Sequence, residues 1–356
     1  MQKDKKWPAT VAASVLMLAV TAVTAVTNSP ALAGETVTFA GYGGAYQKGM
    51  VEALAQPAAA RLGLSLVQNT TPGLTAVRVQ VQSGSPAWDI VNLGSDECAA
   101  GSTQNLFEPL DYGQIKTDGI VQNAWSKDWI ASNYYSVVLA YRKDKFPNNP
   151  PRTWQDFWNV SKFPGRRAMS DAPIESLEIA LLADGVQPDK LYPLDVDRAV
   201  RSIQKLKPAV SVWWSSGAQS AQLIESGEVD MEMIWGSRLT PVLHDKAPVA
   251  YSNTETILGM GCLAIPKGAR HAAAAQKMIA LMMSPELQAN IPRALEGYGP
   301  TNARAFEVKP FSPQELAELN SSPQNLKNAV KIDGRWWGTG DNQKTATARY
   351  KAAISR

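Results

Sequence analysis

The chain has 356 residues, 45% of them hydrophobic and 19% charged, with a formal net charge of +3. That length is large for one core and points to two lobes, and with no block of basic residues nothing argues for nucleic acid. Two histidines and two cysteines supply no zinc-binding cluster.

Residues 1–33 read as a secretory signal peptide. MQKDKKW is a short basic head, VAASVLMLAVTAVTAV an uncharged apolar run, and Ala31-Leu32-Ala33 an A-x-A cleavage pattern, so the cut falls after Ala33. No lipobox cysteine lies near the cut, and no later stretch reaches transmembrane length. The leader takes a net +2 with it (Lys3, Asp4, Lys5, Lys6), leaving a mature chain near +1 that is exported and soluble.

The mature chain opens with a strand over Thr36 to Ala40 and a glycine-rich turn. An amphipathic helix follows, with Met50, Ala53, Leu54 and Pro57 on one side. LSLVQNT is a second strand, TAVRVQVQSG fits helix or strand, and WDIVNLGS is a buried strand running into the small and acidic residues SDE. This alternation predicts an α/β fold with a mostly parallel sheet, whose ligands lie beyond the carboxyl ends of the strands.

SNYYSVVLAYRKDKF is another strand, and a crossover between lobes is expected at residues 141–145. The doubled proline of NNPPRTWQDFWN bars a helix across it, and Thr153 caps the helix beyond. FPGRRAMSDAP is strand then loop; IESLEIALLADG is a helix closed by Gly185. Two helix-strand-tip units follow, one ending at Trp213 and Trp214, the other at Trp235. ETILGMGCLAIPKGA is the strand crossing back. HAAAAQKMIALMMS and SPELQANIPRAL are helices, the latter with Pro285 in its first turn, and Ser312 with Glu315 occupies capping-box positions.

The strand ends share one chemistry. Tyr42, Gly44 and Tyr46, Ser95 and Asp96, Tyr134 and Tyr135, Asp171 and Glu175, Trp214, Trp235 with Arg238, and Tyr298 supply aromatic walls and a few polar groups, as in a small-molecule pocket. Aromatic faces attract organic cations and carboxylates hold ammonium groups. Each residue has a plainer role open to it. Tyr134 and Tyr135 face opposite ways, so at least one packs in the core. Asp171 can cap the helix near Ile174, and Glu175 can complement that helix's dipole. Of the adjacent pair, Trp213 is the better candidate for a structural place and Trp214 for the cleft. Asp230 and Glu232 fit a solvated strand face, and Arg238 a surface ion pair. Catalytic patterns are weak: His244 and His271 lack a neighbouring nucleophile, no G-x-S-x-G elbow exists, and GYGGAY is not a dinucleotide fingerprint. Cys98 and Cys262 can pair or stay buried thiols.

In their order and spacing, FAGYGGAYQKGMVEALAQPAAARLG, WDIVNLGS, VVLAYRKDKF, PPRTWQDFWNVSKFPGRRAMSD, LIESGEVDMEMIWGSRL, CLAIPKGARHAAAAQKMIALMMSPELQANI and GYGPTNARA resemble the periplasmic solute-binding proteins of ABC importers, in particular the spermidine/putrescine-binding branch. The resemblance spans nearly the whole mature chain. It implies a type II two-lobed periplasmic-binding-protein fold, its mixed, mostly parallel sheets joined by crossing hinge strands, with 34–141 plus 257–303 as one lobe and 142–256 plus 304–356 as the other. It implies a periplasmic monomer that traps a ligand without chemistry, uses no cofactor or metal, and docks on an ABC permease. Tyr46, Ser95 and Trp235 look like the family's cleft residues, and Asp171 and Glu175 fall near its amine-holding acids. There are departures: Gly43 stands where a tryptophan is common, and Gly259 and Gly261 replace a tryptophan and an amine-binding aspartate. Losing that aspartate counts against long dications and toward a smaller or zwitterionic amine such as a γ-amino acid, with Arg238 as its cation, while the room opened at Gly259 and Gly261 leaves a bulkier organic ligand open; a small amine is expected, with polyamines and γ-aminobutyrate-like amino acids as the two leading classes. In this architecture both cysteines lie in the first lobe near the cleft, which favours their pairing. The alternatives are a ferric-ion binder using Tyr134 and Tyr135, and an exported hydrolase.

Overall fold

The computed structural model describes Met1 and residues 34–355; apart from Met1, the expected signal peptide falls outside the described residues. The chain divides after Ala31 into two units, and the fold belongs to the second. Its strands are β1 (Thr36–Gly41), β2 (Ser65–Thr70), β3 (Ile90–Gly94), β4 (Trp129–Arg142), β5 (Arg167–Ser170), β6 (Val210–Trp214), β7 (Met231–Trp235), β8 (Val249–Ala264), β9 (Tyr298–Pro300) and β10 (Val330–Lys331). The helices that build the site are α1 (Gly44–Met50), α2 (Ser95–Thr103), α3 (Ser176–Ala183), α4 (Gly236–His244), α5 (Gly334–Gly338) and α6 (Asn342–Ile354). Among the described residues no helix is long and apolar enough to cross a membrane.

The strands run β2-β1-β3-β8-β4-β7-β5-β6, with β10 on β8 and β9 on β4. β1 pairs in parallel with β2 and β3, and β5 with β6 and β7; the long β4 and β8 are antiparallel to each other and to the wings they meet. Two parallel wings are thus bolted together by two long strands. Ile90–Leu93 of β3 and Met231–Ile234 of β7 are buried throughout, as inner strands covered on both faces require.

Each wing has its own core. Phe39, Ile90, Ile130, Cys262 and Met278 share the first; Val137, Phe157, Ile179, Met233, Ile257 and Trp337 share the second. β4 changes core between Ala131 and Val137, and β8 between Ile257 and Cys262. The crossover expected at 141–145 therefore comes earlier: the charged turn ends the strand, but residues 137–141 already pack with the second core.

Residues 74–82 form a helix, which settles the ambiguous TAVRVQVQ run. The stretch expected as one helix after Pro285 breaks into two turns, Pro285–Gln288 and Ile291–Ala294, because Pro292 has no N–H and its ring opposes the carbonyl four residues back. The Thr153/Asp156 and Ser312/Glu315 capping boxes are both formed. Asp230 and Glu232 are not solvated: β7 lies inside the sheet, where Asp230 pairs with Arg166 and Glu232 is 0% exposed. Cys98 and Cys262 are joined, with Cα atoms 6.6 Å apart and a separation of 164 positions in sequence.

Candidate functional site

The strand tips meet where the two wings face each other. On the first wing stand three tyrosines. Tyr46, on the first helix after β1, stacks at 5.2 Å from Tyr298 and 6.3 Å from Tyr42 between ring centroids. Its hydroxyl donates to Asn133 Oδ1 at 3.1 Å. A Cβ on Gly261 would stand 2.5 Å from that Asn133 oxygen and 2.7 Å from the Tyr46 hydroxyl, so the seat exists only because residue 261 is glycine. Tyr42 is partly exposed; its hydroxyl accepts from the Gly94 N–H at 2.9 Å and donates to Glu97. Gly44 is exposed at the start of α1 with a φ of 61°, a left-handed conformation that glycine adopts without steric cost.

Ser95 and Asp96 open α2. Ser95 is buried beside α5, where a Cβ on Gly334 would lie 2.5 Å from its Oγ, and it lines a cavity of about 210 Å³ together with Tyr134, Met260 and Arg335. The Asp96 carboxylate accepts from Gln343 Nε2 at 3.3 Å. Burial, reinforced by neighbouring Glu97, pushes the Asp96 carboxyl up to about 6.

The second wing supplies a carboxyl and its aromatic frame. Tyr135 donates to Glu175 Oε1 at 2.9 Å. Its ring lies over Gly259, where a Cβ would come within 2.1 Å, so the space opened by that glycine is filled by Tyr135 itself. Glu175 is 2% exposed and its other oxygen, Oε2, has no hydrogen-bond partner. Burial pushes its carboxyl up to about 8; Glu178 and Asp96 add to the rise, while Tyr135 and Trp235 oppose it. Its backbone holds φ 64°, ψ −43°, a conformation that costs a non-glycine residue on the order of 1 kcal/mol and clusters at functional sites. Trp235 ends β7 and packs edge-on against Trp214, 5.1 Å between centroids.

Several candidates sit elsewhere than expected. Trp214 is 1% exposed, with its indole donating to the Met233 carbonyl; it supports Trp235 from behind, and the more open Trp213 packs edge-on against Tyr350. Asp171 is engaged by Lys351 at 2.8 Å, because α6 folds back over the tip of β5, and it caps no helix. Glu175 is not in the first turn of α3 but just before it. Tyr134 is buried at 2% on the face opposite Tyr135, so the pair does not converge on one metal. Arg238 is exposed and lies across Gly217. Its charge faces Tyr298, whose phenol is raised by burial and partly relieved by Arg238.

Sequence reasoning missed Asn133, Glu178, Gln343 and Trp337. Glu178 is fully buried, accepting from the Tyr192 hydroxyl at 2.6 Å and the Trp337 indole at 2.7 Å, with Oε2 unpartnered. One signal pointed to it: a lone acid inside the apolar run SLEIALLA. Gln343 and Trp337 are brought in by chain reversal, which no local pattern announces.

Residues 65–319 match the profile of bacterial extracellular solute-binding proteins. The chain is 30% identical to a gamma-aminobutyric acid-binding protein of Pseudomonas aeruginosa, over 90% of this chain and 92% of that one. Among solved structures it resembles an ABC transporter substrate-binding protein from Bradyrhizobium japonicum, with 40% identity and a TM-score of 0.86 over 90% of this chain and all of that one. It also resembles the PBP MotA from A. tumefaciens B6 in complex with glucopine, with 33% identity and a TM-score of 0.80 over 90% of this chain and all of that one.

Proposed function

The chain belongs to the bacterial extracellular solute-binding protein family, and on that premise we propose that it is a monomeric receptor, freed from its leader after Ala33, that closes on a small γ-amino-acid-like zwitterion and presents it to an ABC permease. It performs no chemistry on the ligand.

One observation carries the choice of ligand: Glu175 is buried between Tyr135 and Trp235, and its Oε2 meets no donor in hydrogen-bond geometry, the Trp235 side chain lying only near enough to favour the ionised carboxyl. An orphaned acceptor in a buried, aromatic setting costs about 1–3 kcal/mol, and a ligand ammonium group removes that cost with a charge-assisted bond. Arg238, which makes no ion pair among the described residues and faces Tyr298, takes the carboxylate end. The tyrosines and Trp235 cover the methylenes. A long diamine needs an acid at each end, and Gly259 and Gly261 supply none; their space is taken by Tyr135, Tyr46 and Asn133. Closure follows from the ligand binding the shut form better than the open one.

Calorimetric titration with γ-aminobutyrate, putrescine and spermidine tests this. We expect binding of γ-aminobutyrate, lost in Glu175→Ala and weakened in Arg238→Ala, with little or no uptake of either polyamine. Polyamine binding that survives Arg238→Ala, with no response to γ-aminobutyrate, overturns the zwitterion reading.

A further inference from the structure

We propose that α5 is an interlobe clasp: Gly334 and Gly338 seat it on α2 only when the lobes are shut, and Trp337 ties the same helix to the carboxyl cluster of the second lobe. The inference rests on the receptor reading for its ligand arm, but the contact itself is read from the fold.

The helices in contact belong to different cores. α2 is buried in the first through Cys98 and Ala99, and the disulfide to Cys262 fixes it to β8. α5 is buried in the second through Trp337. Where they touch there is no room for a side chain. A Cβ on Gly338 would stand 2.5 Å from the Ala100 nitrogen and 2.7 Å from the Asp96 carbonyl oxygen; a Cβ on Gly334 would stand 2.5 Å from Ser95 Oγ and 3.0 Å from the Ser95 carbonyl carbon. Most of these are backbone atoms, which cannot swing aside as the end of a long side chain can.

Neither glycine has a positive φ, so the local backbone accepts any L-residue. The opposite core alone forbids a side chain at these two positions. That is the signature of a contact satisfied in one relative placement of the lobes and indifferent in the other. α5 also follows directly on β10, which pairs with β8 at Ile257 and Leu258, so it works close to the strands that join the lobes. A clash of ångström size there becomes a wider gap at the mouth of the cleft.

The same helix reaches the ligand side. The Trp337 indole donates to Glu178 at 2.7 Å, and Glu178 lies one turn along α3 from Glu175. Beyond α5, Gln343 at the start of α6 bonds Asp96. Seating α5 on α2 therefore brings together, in one movement, the acids of both lobes around the ligand position.

The test uses the full mature chain and two readouts. Asp96→Cys with Gln343→Cys is cross-linked by a short bis-methanethiosulfonate, which reacts only when the lobes shut and needs no ligand; the native cysteines are paired. Adding Gly338→Val is expected to slow cross-linking at least about tenfold, because the shut population falls. Gly338→Val alone is expected to melt like wild type without ligand and to bind γ-aminobutyrate at least about tenfold more weakly. Gly334→Ala, the milder change, is expected to move both readouts in the same direction by less. Unchanged cross-linking overturns the clasp, and so does a Gly338→Val melting temperature several degrees low, since the clash would then lie within a lobe. If wild type ignores γ-aminobutyrate yet cross-linking slows, the ligand assignment falls and the clasp stands.

Discussion

The two wings differ in how completely their buried carboxylates are bonded. In the first they are satisfied: Asp89 accepts from Thr38 and His271 and Asp128 from Ser102, and the half-buried Glu97 accepts from Leu74 and Tyr42. In the second, Asp230 is paired with Arg166, but Glu175 and Glu178 each leave one oxygen without a partner, and Glu232 leaves both. The first wing also holds the disulfide. A half whose buried carboxylates are bonded and whose helix is cross-linked is a platform, even with the Asn92 amide oxygen left unpartnered in it. A half with orphaned carboxylate oxygens has given up stability, and where such an oxygen also borders the cleft, as at Glu175, a ligand can complete its bonding.

The sharpest way to test that contrast is to unmake the platform. Replacing Cys98 and Cys262 together by serine should cost on the order of 4 kcal/mol, since the loop closed is long. The loss should show as a lower denaturation midpoint, with the first wing's amides exchanging faster in hydrogen-exchange mass spectrometry; a uniform change across both wings would erase the distinction. The next effect belongs to the other half. Glu175→Ala should weaken γ-aminobutyrate binding by about 2–4 kcal/mol, the range for losing one partner of a buried charged hydrogen bond, while leaving the unliganded melting temperature unchanged or higher.

How legible this was differs along the chain. The wings were readable because their strands are short apolar or alternating runs ending in turn residues, and the tip residues Tyr46, Glu175, Trp235 and Tyr298 stood out as polar or aromatic groups where the run stops. The capping boxes were visible because both partners lie within four residues. What stayed hidden is non-local. Nothing near Asp171 says that Lys351 will return to it, and nothing near Ser95 says that Gly334 will cover it. Asp230 and Glu232 were misread because an alternating strand resembles a solvated edge, while the sheet order that places β7 between β4 and β5 depends on distant pairing. Trp214 was misplaced for a related reason: adjacent residues on a strand point to opposite faces, and local sequence does not say which face the cleft takes.

Glu232 separates an acid kept for a ligand from one merely tolerated. It is fully buried, burial raises its carboxyl well above the usual range, and it pairs in register with Ala140 and Ala168. It leaves both oxygens unpartnered as Glu175 leaves one, yet it lies within the second wing's sheet, three residues before Trp235. Glu232→Met, which keeps the volume and removes the orphaned acceptors, should stabilise the protein by roughly 1–2 kcal/mol at neutral pH without changing γ-aminobutyrate affinity. Because the folded form holds this proton above the unfolded range, the wild-type contribution is lost as pH rises, so the advantage of Glu232→Met should grow with pH in urea titrations. A loss of binding in Glu232→Met would place this acid in the ligand's reach and blur the comparison.

The most gradual effect is graded with pH and follows from the Glu175 carboxyl at about 8. Its folded value lies above the unfolded one, so in the unliganded protein its stabilising contribution is complete below the ordinary carboxylate range and is lost as pH rises through about 8. A ligand ammonium, whose own pKa is near 10, favours the ionised form and so must expel a proton at lower pH. Affinity should therefore climb by up to about tenfold per unit from pH 6.5 and flatten above 8. At the same time the unliganded melting temperature should drift down. Asp96 at about 6, Glu178 and the Tyr135 hydroxyl face the same group, and Asp96 should leave a smaller step near pH 6. In Glu175→Gln the climb between pH 7 and 8 should vanish while the Asp96 step remains. Calorimetry in two buffers of different ionisation enthalpy reads the proton count directly: release below pH 8 in wild type and none near pH 7.5 in Glu175→Gln. If wild type binds the zwitterion with no proton released, Glu175 is already ionised or does not meet the ammonium, and the second wing's orphaned oxygen needs another partner.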